Sequence, residues 1–167
     1  MNSARERLPV VVLISGRGSN LRAIATGALA ATLPVDIRAV VSDRADAAGL
    51  DWARDAGLRC VVLSPQEFRD RAHYDEALAA LVASFEPGLV VLAGFMRILG
   101  PAFVDRFGDR MLNIHPSLLP RHRGLHTHRR VLEAGEREHG ASAHFVTREL
   151  DGGPVVIQAS VPVRDGD

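Results

Sequence analysis

Short, continuous Val/Ile/Leu runs separated by stretches of helical periodicity are what most restricts the folds open to this chain. The runs are Pro9–Ser15, Asp36–Ser42, Arg59–Leu63, Leu89–Ala93 and Arg110–His115. They lack apolar–polar alternation, so they read as strands covered on both faces. Between them the pattern predicts helices over Asn20–Ala31, Ala45–Ala56, Pro65–Phe85 and Pro101–Phe107. Such alternation builds βαβ units, and hence an α/β fold with an open, mostly parallel, doubly wound sheet. Ser64-Pro65-Gln66-Glu67 marks the start of the third helix, with Ser64 as cap, Pro65 at the first helical position and Glu67 completing a capping box. A further helix is expected at Thr127–Ala134, stopped by Gly135. Ser142–Thr147 and Val155–Val163 read as a C-terminal antiparallel hairpin, turned at Asp151-Gly152-Gly153.

The stretch Asn113-Ile114-His115-Pro116 carries the most chemical information. Side chains alternate along a strand, so Met111, Asn113 and His115 share one face. Pro116 cannot continue a central ladder and ends the strand just past His115. An amide and an imidazole therefore stand side by side at a strand's carboxyl edge, where open α/β sheets bind ligands. An isolated N-x-H is also compatible with a strand that simply ends in polar residues.

Ser15-Gly16-Arg17-Gly18-Ser19-Asn20 follows the first strand and opens a helix. Free N–H groups at a helix start, approached closely through glycines, suit a phosphate. Gly18, Ser19 and Asn20 are the candidate contacts. A dinucleotide fingerprint requires a third small residue where this chain has Leu21, so a single phosphate is the better reading. A plain tight turn capped by Ser or Asn remains the alternative. Leu21 likewise counts against Asp43 as a ribose ligand of the nicotinamide type. Asp151 sits in an Asp-Gly turn that needs no functional explanation. It gains one if the loop folds over His115, because a carboxylate beside an imidazole favours the imidazolium.

Composition removes several classes. At 167 residues the chain is long enough for one domain with a sizeable core. Twenty basic residues balance twenty acidic ones, so no overall field recruits nucleic acid or an acidic membrane. Every basic residue is Arg, which excludes a Schiff-base or phosphate-gripping lysine. Cys60, the single cysteine, lies in an apolar run and allows no internal disulfide, which fits a reducing, cytoplasmic setting. Met1–Arg7 is polar, and Leu8–Ile14 is too short for a signal peptide or a membrane span. His122, His126 and His128 lie in an Arg-rich loop without acidic or cysteine partners at metal spacing, so no metal site is expected. Arg121, Arg123, Arg129 and Arg130 read as a solvated face or an anion-steering rim.

Together, Val12–Leu21, Val91–Leu99, Leu112–Pro120, His144–Thr147 and Leu150–Pro154 resemble the folate-dependent phosphoribosylglycinamide formyltransferases, in the family's order and over nearly the whole chain. The resemblance implies a Rossmann-like formyltransferase fold in a single domain over 1–167. Its phosphate-binding half is about 1–100 and its catalytic and folate half about 101–167. It implies transfer of the formyl group of 10-formyltetrahydrofolate, a co-substrate, to the amine of 5'-phosphoribosylglycinamide in purine synthesis, without a metal. Asn113, His115 and Asp151 match the family's catalytic trio. Gly18, Ser19 and Asn20 match its substrate-phosphate loop. Arg71, Met96, Arg97, Ile98, Leu99 and Asn113 match its folate pocket. The expected partners are small molecules, with no nucleic acid and no membrane, and the expected state is a monomer or weak homodimer. The family continues past Asp167 with a long helix and an acidic ribose contact, so the closing helix of the sheet is expected to be missing here.

The readings that compete are a methionyl-tRNA formyltransferase, a formyltetrahydrofolate hydrolase and a non-catalytic nucleotide-binding module. Neutral charge and short length count against the first. The lack of room for a regulatory domain before Leu8 counts against the second. The third has no use for Asn113, His115 and Asp151 together.

Overall fold

A computed structural model describes residues 7–164 and 166–167. The reading of the first residues as a polar lead falls, apart from Arg7, outside them. Along the chain run β1 (Leu8–Ile14), α1 (Ser19–Leu29), β2 (Val35–Ser42), α2 (Ala48–Asp55), β3 (Cys60–Val62), α3 (Arg71–Ser84), β4 (Leu89–Leu92), α4 (Pro101–Phe107), β5 (Met111–His115), α5 (Thr127–Glu133), β6 (Glu138–Phe145) and β7 (Val155–Pro162). The strands form one sheet in the order β3-β2-β1-β4-β5-β6-β7. Pairing is parallel from β3 through β5 and antiparallel at β5–β6 and β6–β7. The expected α/β architecture with a C-terminal antiparallel pair is thus present.

Each central strand feeds two cores, as its apolar character requires. Val11 and Leu13 of β1 face a cluster with Tyr74, Leu78 and Val82 of α3 and Phe103 and Phe107 of α4. Val10, Val12 and Ile14 face the opposite cluster, with Leu21 of α1 and Leu50 and Ala53 of α2. Fully burying such a side chain stabilises by about 1.5–3 kcal/mol, so these two layers dominate the fold's stability. β7 is exposed along its whole length among the described residues.

The structure corrects one helix. The expected Pro65–Phe85 helix is broken: Pro65–Glu67 makes a single 3-10 turn, and α3 starts only at Arg71. Ser64 accepts from Gln66 N–H, but Phe68 is extended, at φ −116° and ψ 146°. Phe68 packs edge-on against Tyr74, with ring centroids 5.7 Å apart, and joins the α3-side core. Burying that ring takes the chain out of the helix, and Asp70 then caps α3 by accepting His73 N–H at 3.0 Å. Other boundaries differ by a few residues; β6 begins at Glu138 rather than Ser142, and α2 begins at Ala48 rather than Ala45.

Candidate active site

β5 ends as its sequence dictates. Met111, Asn113 and His115 alternate with Leu112 and Ile114, and Met111 is buried in the α3-side core. Antiparallel pairing with β6 sets Asn113 opposite His144 and His115 opposite Ser142. Asn113 Nδ2 lies 3.2 Å from His144 Nε2. His144 Nδ1 lies 2.9 Å from the Phe145 carbonyl, which can only accept, so Nδ1 carries hydrogen, and Nε2 faces the Asn113 amide.

Asp151 reaches the same place from the β6–β7 connection. It adopts the left-handed region at φ +50°, tolerated by Asp, and is 8% exposed. One carboxylate oxygen, Oδ2, lies 3.4 Å from His115 Nδ1 and accepts Gly124 N–H at 2.8 Å. The other, Oδ1, lies 3.6 Å from His144 Nε2. Burial pushes the Asp151 carboxyl up, but the His144 interaction, the Gly124 N–H and the charges of His115 and His144 outweigh it. The group is held below the usual carboxylate range. Two distant segments, β5 and the β6–β7 connection, thus bring together the amide, imidazole and carboxylate singled out in the sequence.

His115 is 5% exposed, and its Nε2 lies 3.0 Å from the His122 carbonyl. That carbonyl is delivered by a folded-back loop. Ser117 Oγ donates to the Arg121 carbonyl at 2.7 Å, and buried Ser142 Oγ donates to the Ser117 carbonyl at 2.6 Å while accepting Leu119 N–H at 3.0 Å. The supports that sequence reasoning missed are therefore His144, the His122 carbonyl and the Gly124 N–H. Of these, only His144 had a signal, its place in a predicted strand, and that did not reveal its partner. The His122 side chain turns elsewhere, to Glu136 Oε1 at 2.6 Å.

The glycine loop sits at the start of α1. Gly18, at φ +74°, is the cap residue, and no side chain caps the helix, which removes the Ser/Asn-capped turn as its explanation. Ser19 is exposed and Asn20 half-buried in the first turn, beside N–H groups that have no intrahelical partner. The loop is seated on α2, where Gly49 N–H donates to the Gly16 carbonyl at 3.0 Å.

The third group of residues lies along the 94–99 connection after β4. Met96 and Ile98 are 74% and 64% exposed, whereas Leu99 is drawn into the core. Arg71 donates to the Ile98 carbonyl. Arg71, Met96, Arg97 and Ile98 border a cavity of about 960 Å³ that reaches across the ends of β1, β2 and β3. Asn113, His115 and Asp151 do not border it. Among the described residues no group of three or more His, Cys, Asp or Glu side chains is placed to hold a metal ion, and no helix is long and apolar enough to cross a membrane.

A carboxylate beside an imidazole and an amide thus meets the carboxyl end of β5, and a glycine loop opens α1 on the same α/β sheet. Comparison with known proteins places this fold among transferases. Residues 8–167 match the formyl transferase family, and the chain belongs to that family. A phosphoribosylglycinamide formyltransferase of Escherichia coli (strain K12) is 55% identical over 158 residues, covering 95% of this chain and 74% of that protein. One from Haemophilus influenzae is 44% identical over 92% of this chain and 73% of its own length. The crystal structure of glycinamide ribonucleotide transformylase 1 from Symbiobacterium toebii superposes with a TM-score of 0.94 at 43% identity, covering 98% of this chain and 77% of that one.

Proposed function

We propose that this chain transfers the formyl group of 10-formyltetrahydrofolate to the amine of 5'-phosphoribosylglycinamide in purine biosynthesis. The observation that carries the reading is the convergence of Asp151 from the β6–β7 connection on Asn113 and His115 of β5, through His144, into one polar network. Identity of 55% to a relative of that name supports the choice of substrates.

In this reading the amine attacks the formyl carbon and the carbonyl oxygen becomes an oxyanion in a tetrahedral intermediate. Asn113 and His115 supply preorganised donors to that oxygen, a contribution worth about 10²–10³ in rate for one such donor. Asp151 orients His115 through Nδ1 and takes part in moving the proton from the attacking nitrogen to the leaving one. Both ring nitrogens of His115 already face protein oxygens, so His115 exchanges the His122 carbonyl for substrate oxygen when it acts. Gly18, Ser19 and Asn20 hold the substrate phosphate at the start of α1. Exposed Met96 and Ile98, with Arg71 beside them, suit a flat apolar ring that carries an anionic tail. Leu99 supports that wall from the core side, and Arg97 contributes through its main chain. No step requires a metal ion or a covalent nucleophile. The lone cysteine supports a cytoplasmic setting, and we assign the chain a monomeric or weakly dimeric state.

The test is formyl transfer by the full chain with glycinamide ribonucleotide, water and charged tRNA as competing acceptors. Production of tetrahydrofolate that depends on glycinamide ribonucleotide is expected. Turnover with water or tRNA alone overturns the assignment.

A further inference from the structure

The Met96–Ile98 segment has no regular secondary structure and exposes two large apolar side chains, yet it follows a fixed path. A loop in that situation pays conformational entropy unless something outside it fixes its backbone. Three ties do so, and each comes from a different element. Ser15, at the end of β1, accepts Met96 N–H on its hydroxyl at 2.9 Å and sends its own N–H to the Gly94 carbonyl at 3.1 Å. Arg71, at the start of α3, donates to the Ile98 carbonyl. Asp43, just past β2, accepts Arg97 Nε on Oδ2 at 2.8 Å.

The Asp43 tie is unusual. The Asp43 side chain is 5% exposed, and its second oxygen, Oδ1, is buried without a hydrogen-bond partner among the described residues. Burying a carboxylate with one oxygen unsatisfied is costly. Its partner Arg97 is 45% exposed and lies over the Tyr74 ring, 5.6 Å from the centroid. Arg97 is thus tied to Asp43 and laid over Tyr74, while its neighbours Met96 and Ile98 are more exposed, and all three border the same cavity. The tie fixes residue 97, and with it the backbone between residues 96 and 98.

We propose that Asp43 is a positioning residue for the formyl-folate pocket, acting through Arg97 to hold Met96 and Ile98 in their ligand-facing orientation, with Ser15 as the second anchor. This rests on the reading of 96–99 as a folate wall. Asp43 and Ser15 border the same cavity, so the ligand-free exchange below, rather than KM alone, separates positioning from direct contact. Ser15 also immediately precedes the Gly16–Asn20 loop, so one residue joins the phosphate loop to the opposite wall.

The experiment compares the full-length parent with Asp43→Ala, Asp43→Asn and Ser15→Ala. It follows amide hydrogen exchange at residues 94–99 without ligand, and KM for each substrate with kcat. Asp43→Ala is expected to speed exchange at Met96–Ile98 by about tenfold or more, the size of a lost charge-assisted bond, with the strands unchanged. KM for 10-formyltetrahydrofolate rises by a similar factor, about tenfold, while kcat and KM for glycinamide ribonucleotide stay within about twofold. Asp43→Asn, which keeps an acceptor for Arg97, recovers most of both effects. Unchanged exchange at 96–98, or faster exchange throughout the sheet, overturns the positioning role. Faster local exchange with an unchanged folate KM overturns the link to folate. Transfer by the parent enzyme is read separately, so a failure of the proposed reaction is not mistaken for a failure of the tie.

Discussion

Asp151 Oδ2 stands 3.4 Å from His115 Nδ1 while the same oxygen accepts the Gly124 N–H at 2.8 Å. The backbone bond fixes the carboxylate, and the carboxylate orients the imidazole. Asp151→Asn keeps the shape and removes the charge, so transfer is expected to fall by about 10²–10⁴ at saturating substrates. The same change alters the response to acid. The native carboxyl is held below its usual range, so its stabilisation is complete above the unfolded value, about 3.9, and is lost as pH falls through the lower native value. Asp151→Asn is therefore less stable than the parent near pH 7, and the gap closes below about pH 4. Denaturant midpoints taken across that range check it, and a gap that stays constant with pH contradicts it.

Asn113→Ala and His115→Ala are each expected to lose about 10²–10³ in kcat while remaining folded. Asn113 is half-buried, and its amide NH2 has one hydrogen for His144 and a second for the oxyanion, so truncation removes a donor more than it removes packing. Circular dichroism alongside the transfer assay separates the two effects. Full activity in either variant ends the oxyanion assignment.

Asn113 and His115 were legible because period 2 and Pro116 are local facts. Their surroundings were not. That Asn113 meets His144 follows from the β5–β6 register, which no local pattern encodes. The His122 carbonyl and Gly124 N–H are backbone groups, and a sequence does not say where a loop delivers them. Asp151 read locally as an ordinary turn residue, and its role was implied only by the family resemblance. At the helix break two good caps compete within one stretch, Ser64 and Asp70. Capping chemistry alone does not choose between them; burial of Phe68 does.

Ser142→Ala tests the support beneath the site. One hydroxyl serves Leu119 N–H, the Ser117 carbonyl and Gln158 Nε2, at 3.0, 2.6 and 2.8 Å. Removing it orphans groups in a fully buried position. A loss of about 2–4 kcal/mol in unfolding free energy is expected from urea titration. A change below about 0.5 kcal/mol means that these groups find other partners.

Ser19→Asp probes the anion loop. Ser19 is exposed in the first turn of α1, where a negative side chain suits the helix but opposes a bound phosphate. KM for glycinamide ribonucleotide should rise roughly tenfold or more, with stability kept and KM for 10-formyltetrahydrofolate unchanged. Equal loss of both affinities places the phosphate elsewhere.

Gly49→Ala tests how that loop is seated. A Cβ at Gly49 meets Ile14 Cδ1 at 2.9 Å, Gly18 Cα at 3.0 Å and the Gly16 carbonyl oxygen at 3.1 Å. Two of these neighbours are backbone of the loop itself, and the third belongs to a fully buried core residue. Gly49 lies in the first turn of α2, where alanine gains less than the roughly 1 kcal/mol it gains over glycine in a helix interior. Crowding opposes it, at a typical cost of about 1–3 kcal/mol for overpacking, and also threatens the bond from Gly49 N–H to the Gly16 carbonyl. Two of the three crowded atoms belong to the loop, so relief of the clash displaces the Gly16–Gly18 backbone relative to α2. KM for glycinamide ribonucleotide should therefore rise about tenfold even if net stability hardly changes, and KM for the folate should not move. A stabilised variant with unaltered KM values would falsify the claim that the Gly18–Gly49 contact sets the phosphate cradle.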